Sequence, residues 1–211
     1  MSRPIRIGIV DYGMGNRRSV EKAFEHIGVA PVVTSDHAAL REVDGLVVPG
    51  VGAFRSGIEN LRERELDGLL AERVDEGVPI LGICLGMQLL FDSSSEQGGA
   101  QGLGVVAGEV CELDAPDLNL PHIGWNLVTW QRDSALTVGL GPAAAFYHVH
   151  TYAARPVDPA DILGVGEYGA PFVSAIDRDP LFGVQFHPEK SSTHGLLLLK
   201  NFSAICARVA A

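Results

Sequence analysis

Short aliphatic runs alternate with amphipathic stretches through the first half of the chain: Ile5 to Val10, Arg18 to Ile27, Pro31 to Val33, Leu46 to Val48, Ile58 to Glu76 and Val78 to Ile83. A strand that is apolar at every position has no face left for water and must be covered on both sides, while stretches of helical period between such strands supply the cover. This βαβα order predicts an α/β fold with an open, mostly parallel central sheet flanked by helices, and ligands in such sheets collect at the carboxyl ends of the strands. From Gly102 onward the pattern changes to β runs punctuated by Gly and Pro: Val105 to Leu113, Asn126 to Trp130, Ala145 to His150, Gly164 to Tyr168, Phe172 to Ile176 and Leu181 to Gln185. They read as an antiparallel or mixed extension of the same sheet system. The segment Ser191 to Arg208 returns to helical character, with Leu196, Leu197, Leu199, Lys200 and Phe202 allowing a stripe that docks on the core. At 211 residues and 46% hydrophobic composition, the chain suits a single domain over 1–211.

Three strand-end loops are expected on one rim. Asp11-Tyr12-Gly13-Met14-Gly15-Asn16 follows the first strand, Pro49-Gly50-Val51-Gly52-Ala53-Phe54 follows the third, and Gly82-Ile83-Cys84-Leu85-Gly86 ends the fourth. The last has the spacing G-x-C-x-G, a cysteine version of the strand-to-helix elbow that lifts a nucleophile above a sheet. Gly82 and Gly86 are poor choices for a strand end and a helix start unless neighbouring backbone must pass close by. A helix starting at Leu85 aims unpaired N–H groups and a partial positive charge at the sulfur, which stabilises negative charge there. Cys111 and Cys206 sit in apolar stretches without such surroundings and read as packing residues.

Val184-Gln185-Phe186-His187-Pro188-Glu189 places an imidazole at a strand end, because Pro188 cannot donate to a central ladder and restricts the residue before it. The rigid proline can hold Glu189 against one ring nitrogen of His187 while the other nitrogen faces the Cys84 thiol, the arrangement a covalent acyl transfer needs. Such chemistry also needs donors for the oxyanion that forms when a carbonyl carbon becomes tetrahedral. Leu85 N–H is the natural first donor, and the Val51 or Gly52 backbone is the candidate for the second. The glycines of that loop are equally explained by a tight turn, and sequence leaves open whether the donor pair is assembled at rest.

Sixteen Lys and Arg against 26 Asp and Glu give a net charge of −10, which opposes nonspecific binding to nucleic acid or anionic membrane. Three cysteines without C-x-x-C pairing read as reduced thiols. The start of the sequence runs straight into a strand-like run without the apolar stretch of a signal peptide or a membrane-spanning helix, so the expected compartment is the cytoplasm. The histidines are scattered, and His148 with His150 lacks neighbouring carboxylate or thiolate ligands, so neither a metal site nor another cofactor is expected.

Gly82-Ile83-Cys84-Leu85-Gly86-Met87-Gln88 together with Gln185-Phe186-His187-Pro188-Glu189 resembles the class I, triad-type glutamine amidotransferases. The remaining motifs, including Pro121-His122-Ile123-Gly124-Trp125-Asn126, Val149-His150-Thr151-Tyr152 and His187-Pro188-Glu189-Lys190-Ser191, narrow this to a resemblance, nearly end to end, to the glutaminase subunits of imidazole glycerol phosphate synthases. The resemblance implies that Cys84 attacks the side-chain amide of L-glutamine, that His187 transfers protons and that Glu189 orients His187. It also implies that Gly52, Gln88, Glu96 and the His150-Thr151 backbone hold the glutamine, and that a barrel-shaped cyclase subunit completes a heterodimer. Asn16, His122, Trp125 and Asn126 are the interface candidates, with a buried core role as the alternative for Trp125. The stretch Ser93 to Gly99 is expected to be an active-site loop, and it departs from the paired glutamates more usual there. His148 stands where an aromatic residue is commoner and reads either as altered packing near the substrate or as an outward strand residue. Other readings that stay open are the glutaminase subunit of a different amidotransferase, a free-standing glutamyl hydrolase and a catalytically silent regulatory subunit.

Overall fold

The computed structural model describes residues 4–209. Its centre is a parallel array in the order β2 (Val32–Thr34), β1 (Ile7–Val10), β3 (Gly45–Gly50), β4 (Ile80–Cys84) and β13 (Leu181–Val184). Between these strands run α1 (Arg17–His26), α2 (His37–Arg41), α3 (Phe54–Glu63) and α4 (Leu66–Asp75), and the short helix α5 (Leu85–Leu89) follows β4 directly. Alternation along the strands sorts the core into two layers. Ile7, Ile9, Val47, Leu81 and Ile83 face one side, with Phe24 of α1 and Phe202 of α6 (Ser192–Val209). Val10, Leu46, Val48 and Ile80 face the other, with Phe54, Ile58, Leu61 and Leu69 of α3 and α4. Burying each such side chain contributes about 1.5–3 kcal/mol, so the helices are held by these stripes more than by their intrinsic propensity.

Beyond β13 the pairing turns antiparallel. β12 (Ala170–Arg178) pairs with β13, then with β10 (Tyr152–Pro156), which pairs with β7 (Val106–Glu112). β7 carries β5 (Phe91–Ser94) in parallel, and β5 pairs with the two-residue β6 (Ala100–Gln101). A branch leaves β12 through β11 (Ile162–Tyr168) to β8 (His122–Trp130) and β9 (Ala143–His150), all antiparallel. The parallel centre and its antiparallel extension both agree with the sequence.

Two expectations need correction, and for His148 the outward alternative falls. The single helix expected over Ile58 to Glu76 is two, because Glu65 adopts a left-handed conformation at φ 55° and turns the chain. The apolar spacing carries across the break, and no Gly or Pro marks it. Ser93 to Gly99 is not simply a loop: Ser93 and Ser94 belong to β5, and a 3-10 turn at Glu96–Gly98 follows. His148 is fully buried, its Nε2 bonded to Ser174 Oγ at 2.8 Å and its Nδ1 to the Phe146 carbonyl at 3.1 Å, so it points inward. Among the described residues no helix is long and apolar enough to cross a membrane.

Candidate active site

Register sets the rim. Gly50 lies opposite Cys84 and Ile83 opposite Val184, which brings the ends of β3, β4 and β13 side by side. Cys84 itself takes φ 53° and ψ −112°, a conformation L-residues resist, and α5 begins at the next residue. Glycine makes this turn possible: a Cβ on Gly86 would lie 1.7 Å from the Val48 carbonyl oxygen, and one on Gly82 would lie 2.6 Å from Met87 Cα. The close approach expected of these two glycines is therefore what they provide. The strain at Cys84 is of order 1–3 kcal/mol and persists because packing over-determines it. It yields a sign test. In ordinary helix or strand positions glycine is roughly 0.5–1 kcal/mol worse than alanine, whereas here Cys84→Gly should melt higher than Cys84→Ala, by about 2–4 °C per kcal/mol of strain released. Thermal melts of the two variants decide it, and an alanine variant that melts higher would show the turn to be unstrained.

The structure brings Cys84, His187 and Glu189 together. His187 Nδ1 lies 3.0 Å from Glu189 Oε1 and both side chains are almost wholly buried, while the Cys84 thiol, which donates to the Val149 carbonyl at 3.9 Å, lines the same cavity as the imidazole. The His187 backbone is pinned from two sides: its N–H donates to the Tyr147 carbonyl at 2.9 Å, and its carbonyl accepts from Ser191 Oγ at 2.6 Å. Burial alone would lower the imidazole, but the hydrogen bonds and negative charge of Cys84 and Glu189 outweigh it and hold the ring up at about 9. His187 is thereby disposed to carry a proton beside the sulfur, ready to give it to a leaving amine.

Cys84 and His187 open into a cavity of about 270 Å³ whose lining includes Val51, Gly52, Leu85, Gln88, Glu96 and His150. Thr151, Pro121 and Lys190 also reach it. Leu85 N–H is the first N–H of α5 and has no intrahelical partner. Val51 is 41% exposed and Gly52 sits at φ 111°. Tyr12, buried under this loop, donates its hydroxyl to the Pro49 carbonyl at 2.7 Å; its phenol is pushed up by burial and by Cys84. Nothing in the motif around Tyr12 signals this role, which only the contact with Pro49 reveals.

Two cavity residues are already engaged. Glu96 Oε2 accepts the Phe54 N–H at 2.7 Å and so caps α3, leaving its other oxygen for a ligand. The Thr151 carbonyl accepts from Leu113 N at 2.9 Å and is thereby committed to the fold. Of the interface candidates, Trp125 is 55% exposed, which removes the core alternative, and it stands in a stripe with Ile123 and Leu127, at 60% and 58%. Asn16 stands at the start of α1, where its backbone carbonyl accepts from Ser19 and Val20 N–H but its side chain makes no cap, and it is half-buried. His122 is a correction: it is only 3% exposed, because β8 alternates and turns it inward, where its Nδ1 meets His150 Nε2 at 3.0 Å. Asn126 is half-buried and bonds His122 Nε2 at 3.3 Å and the Glu167 carbonyl at 2.8 Å. Burial lowers His122, and burial also pushes His150 down to about 4 and His148 to about 2, so this cluster is neutral. Cys206 is fully buried and pushed up to about 12 by burial, as packing requires, while Cys111 is half-buried.

The sequence pattern of the family described as "Glutamine amidotransferase class-I" matches residues 8–205. A protein of Salinibacter ruber described as "Imidazole glycerol phosphate synthase subunit HisH" is 49% identical over 203 residues, covering 93% of each chain. Proteins of the same description from Moorella thermoacetica and Aquifex aeolicus are 46% and 45% identical, covering 94% of this chain and 94% and 96% of theirs. Among solved structures, a protein described as a glutamine amidotransferase superposes with TM-score 0.73 at 19% identity, covering 95% of this chain and 98% of that one. PurLQS from Thermotoga maritima gives 0.76 at 16% identity, covering 96% and 99%. These two likenesses speak for the fold alone.

Proposed function

The chain belongs to the class I glutamine amidotransferases, and from that premise we propose that it is the glutaminase subunit of an imidazole glycerol phosphate synthase, acting in histidine biosynthesis. The chemistry rests on one observation, that Cys84 and His187 line one cavity large enough for a free amino acid while Glu189 holds His187 from behind.

Glutamine enters with its carboxamide over Cys84, its charged end held by Glu96 and the His150-Thr151 edge, with Gln88 and Gly52 beside it. The sulfur attacks the carboxamide carbon, forming the C–S bond, and the oxygen takes the negative charge between Leu85 N–H and the Val51-Gly52 backbone. His187, oriented by Glu189, gives its proton to the departing nitrogen; the C–N bond breaks and ammonia leaves. A water, losing its proton to the now neutral His187, then adds to the thioester, the C–S bond breaks and glutamate is released. Catalysis needs neither metal nor organic cofactor.

Ammonia freed into water near neutral pH is mostly protonated and no longer nucleophilic, so a useful glutaminase delivers it to a synthase held alongside. The proposed partner is a cyclase subunit, bound as a heterodimer in the cytoplasm, that uses the ammonia in a lyase reaction giving imidazole glycerol phosphate and an aminoimidazole carboxamide ribonucleotide. The exposed stripe Ile123, Trp125 and Leu127 supports this docking, because a monomer rarely leaves such large side chains together in water and β8 starts beside the cavity-lining Pro121.

Diazo-oxo-norleucine, a glutamine-like electrophile, tests the reading. Incubated with the chain and purified cyclase, it should add to Cys84 and leave Cys111 and Cys206 free, as located by mass spectrometry. His187→Ala should slow that labelling at least about a hundredfold, the range of a lost general acid–base group. An unlabelled Cys84 would overturn the assignment.

A further inference from the structure

Gln185 lies one residue beyond β13, is fully buried, and takes no part in the acyl-transfer steps. Its amide stands between two other groups: Gln88 Nε2 donates to Gln185 Oε1 at 3.0 Å, and Gln185 Nε2 reaches the Cys84 sulfur at 3.7 Å. Oxygen and nitrogen of an amide have the same shape, so the surrounding network must say which is which. Gln88 Nε2 also bonds the Tyr152 carbonyl at 3.0 Å, and a carbonyl only accepts, so that Gln88 atom is the donor nitrogen. The Gln185 atom facing it is therefore the oxygen. What Gln185 turns to the sulfur is an N–H group, which can donate and cannot take a proton.

We propose that Gln185 is a further catalytic residue of the glutaminase reaction, donating its side-chain N–H to the Cys84 sulfur whenever that sulfur carries negative charge. The proposal rests on the reading of Cys84 as nucleophile. A neutral amide suits the task because it steadies the charge without competing for the proton that His187 must carry. During attack the sulfur electron pair becomes the C–S bond and the charge passes to the carboxamide oxygen, so the Gln185 contact loosens. When the thioester breaks, the pair returns to sulfur and the N–H meets it again. The position is fixed through Gln88, which sits on α5 one turn after Cys84 and ties both amides to the Tyr152 carbonyl at the start of β10.

Two substitutions separate this role from mere packing. Gln185→Glu keeps the shape and the acceptor for Gln88 but removes the donor; Gln185→Met keeps the length and removes all polarity. Each variant is alkylated with iodoacetamide and the rate at each cysteine is followed by mass spectrometry, with half-buried Cys111 as an internal report on folding. Expected is at least about a tenfold slower reaction at Cys84 in both, the worth of one hydrogen bond to a charged group, with the rate-versus-pH profile moved to higher pH and Cys111 unchanged. Cys84 alkylation at the wild-type rate in both variants would overturn the proposal. Should neither variant fold, the wild-type chain still decides: the Gln185 side-chain NH₂ resonances should titrate with the Cys84–His187 pair and lose that titration in Cys84→Ala, and pH-independent resonances would overturn it. Failure of diazo-oxo-norleucine to label wild-type Cys84 is a different result, sinking the glutaminase reading itself.

Discussion

Cys84→Ala is expected to lower glutamine-dependent synthesis by the complex with cyclase at least about 10⁴-fold, the scale on which losing a covalent nucleophile is felt. Ammonia supplied from mildly alkaline solution should still support synthesis at close to the wild-type rate. The two halves of the prediction have separate causes. Without the sulfur, water must attack an unactivated amide directly, and the remaining imidazole and carboxylate cannot replace a thioester path. The proposed cyclase chemistry uses ammonia whatever its origin, and Cys84 is a small buried side chain outside the exposed Ile123, Trp125 and Leu127 stripe proposed for docking. Parallel assays with glutamine and with ammonium salt measure both. Loss of ammonia-dependent synthesis as well would mean that the thiol holds the fold together, and the proposed chemistry would lose its nucleophile.

Features whose cause is local are legible in the sequence. Val78 to Ile83 is apolar at every position, so β4 has to lie inside a sheet, and Pro188 stops a strand wherever it stands. Gly86 reads as a demand for close approach, although the Val48 carbonyl that makes the demand is 38 positions away and known only from the fold. Less legible are features decided by distant partners. The break at Glu65 leaves no mark because Ile58, Leu61, Leu66 and Leu69 keep a helical spacing through it. β5 is a Phe-Asp-Ser-Ser stretch of weak strand propensity, made a strand by pairing with β7 and β6. His122 resembles a surface residue because its neighbours Ile123 and Trp125 are exposed, yet the two-residue period of β8 turns it the opposite way, onto His150. Gln185 shows no role in its sequence motif, since only a third side chain, Gln88, reveals which end of its amide faces the sulfur.

The isolated chain should hydrolyse glutamine slowly, and cyclase carrying its nucleotide substrate should raise kcat about a hundredfold or more, the scale of one oxyanion donor. Of the two proposed donors, Leu85 N–H is fixed by α5 and by the buried contacts of Gly86 beneath it. The other lies in the loop after β3, where Tyr12 anchors the Pro49 carbonyl but Val51 is exposed and Gly52 holds a φ that glycine adopts and leaves freely. Anchored at one end and free at the other, that segment is the part of the site a docked partner can most cheaply reorient. The cavity wall joins it to Pro121, next to the start of β8, so a partner seated on Trp125 presses on the same rim that carries Val51. Coupling through the loop predicts a rise in kcat with a smaller change in KM, because the second donor meets the oxygen only once the carbon has become tetrahedral. Steady-state glutamate release, measured for the chain alone, with cyclase, and with cyclase plus nucleotide, gives the comparison. Equal turnover in all three would mean that the donor pair stands complete without a partner, and the Val51-Gly52 loop would then need no signal from the β8 face.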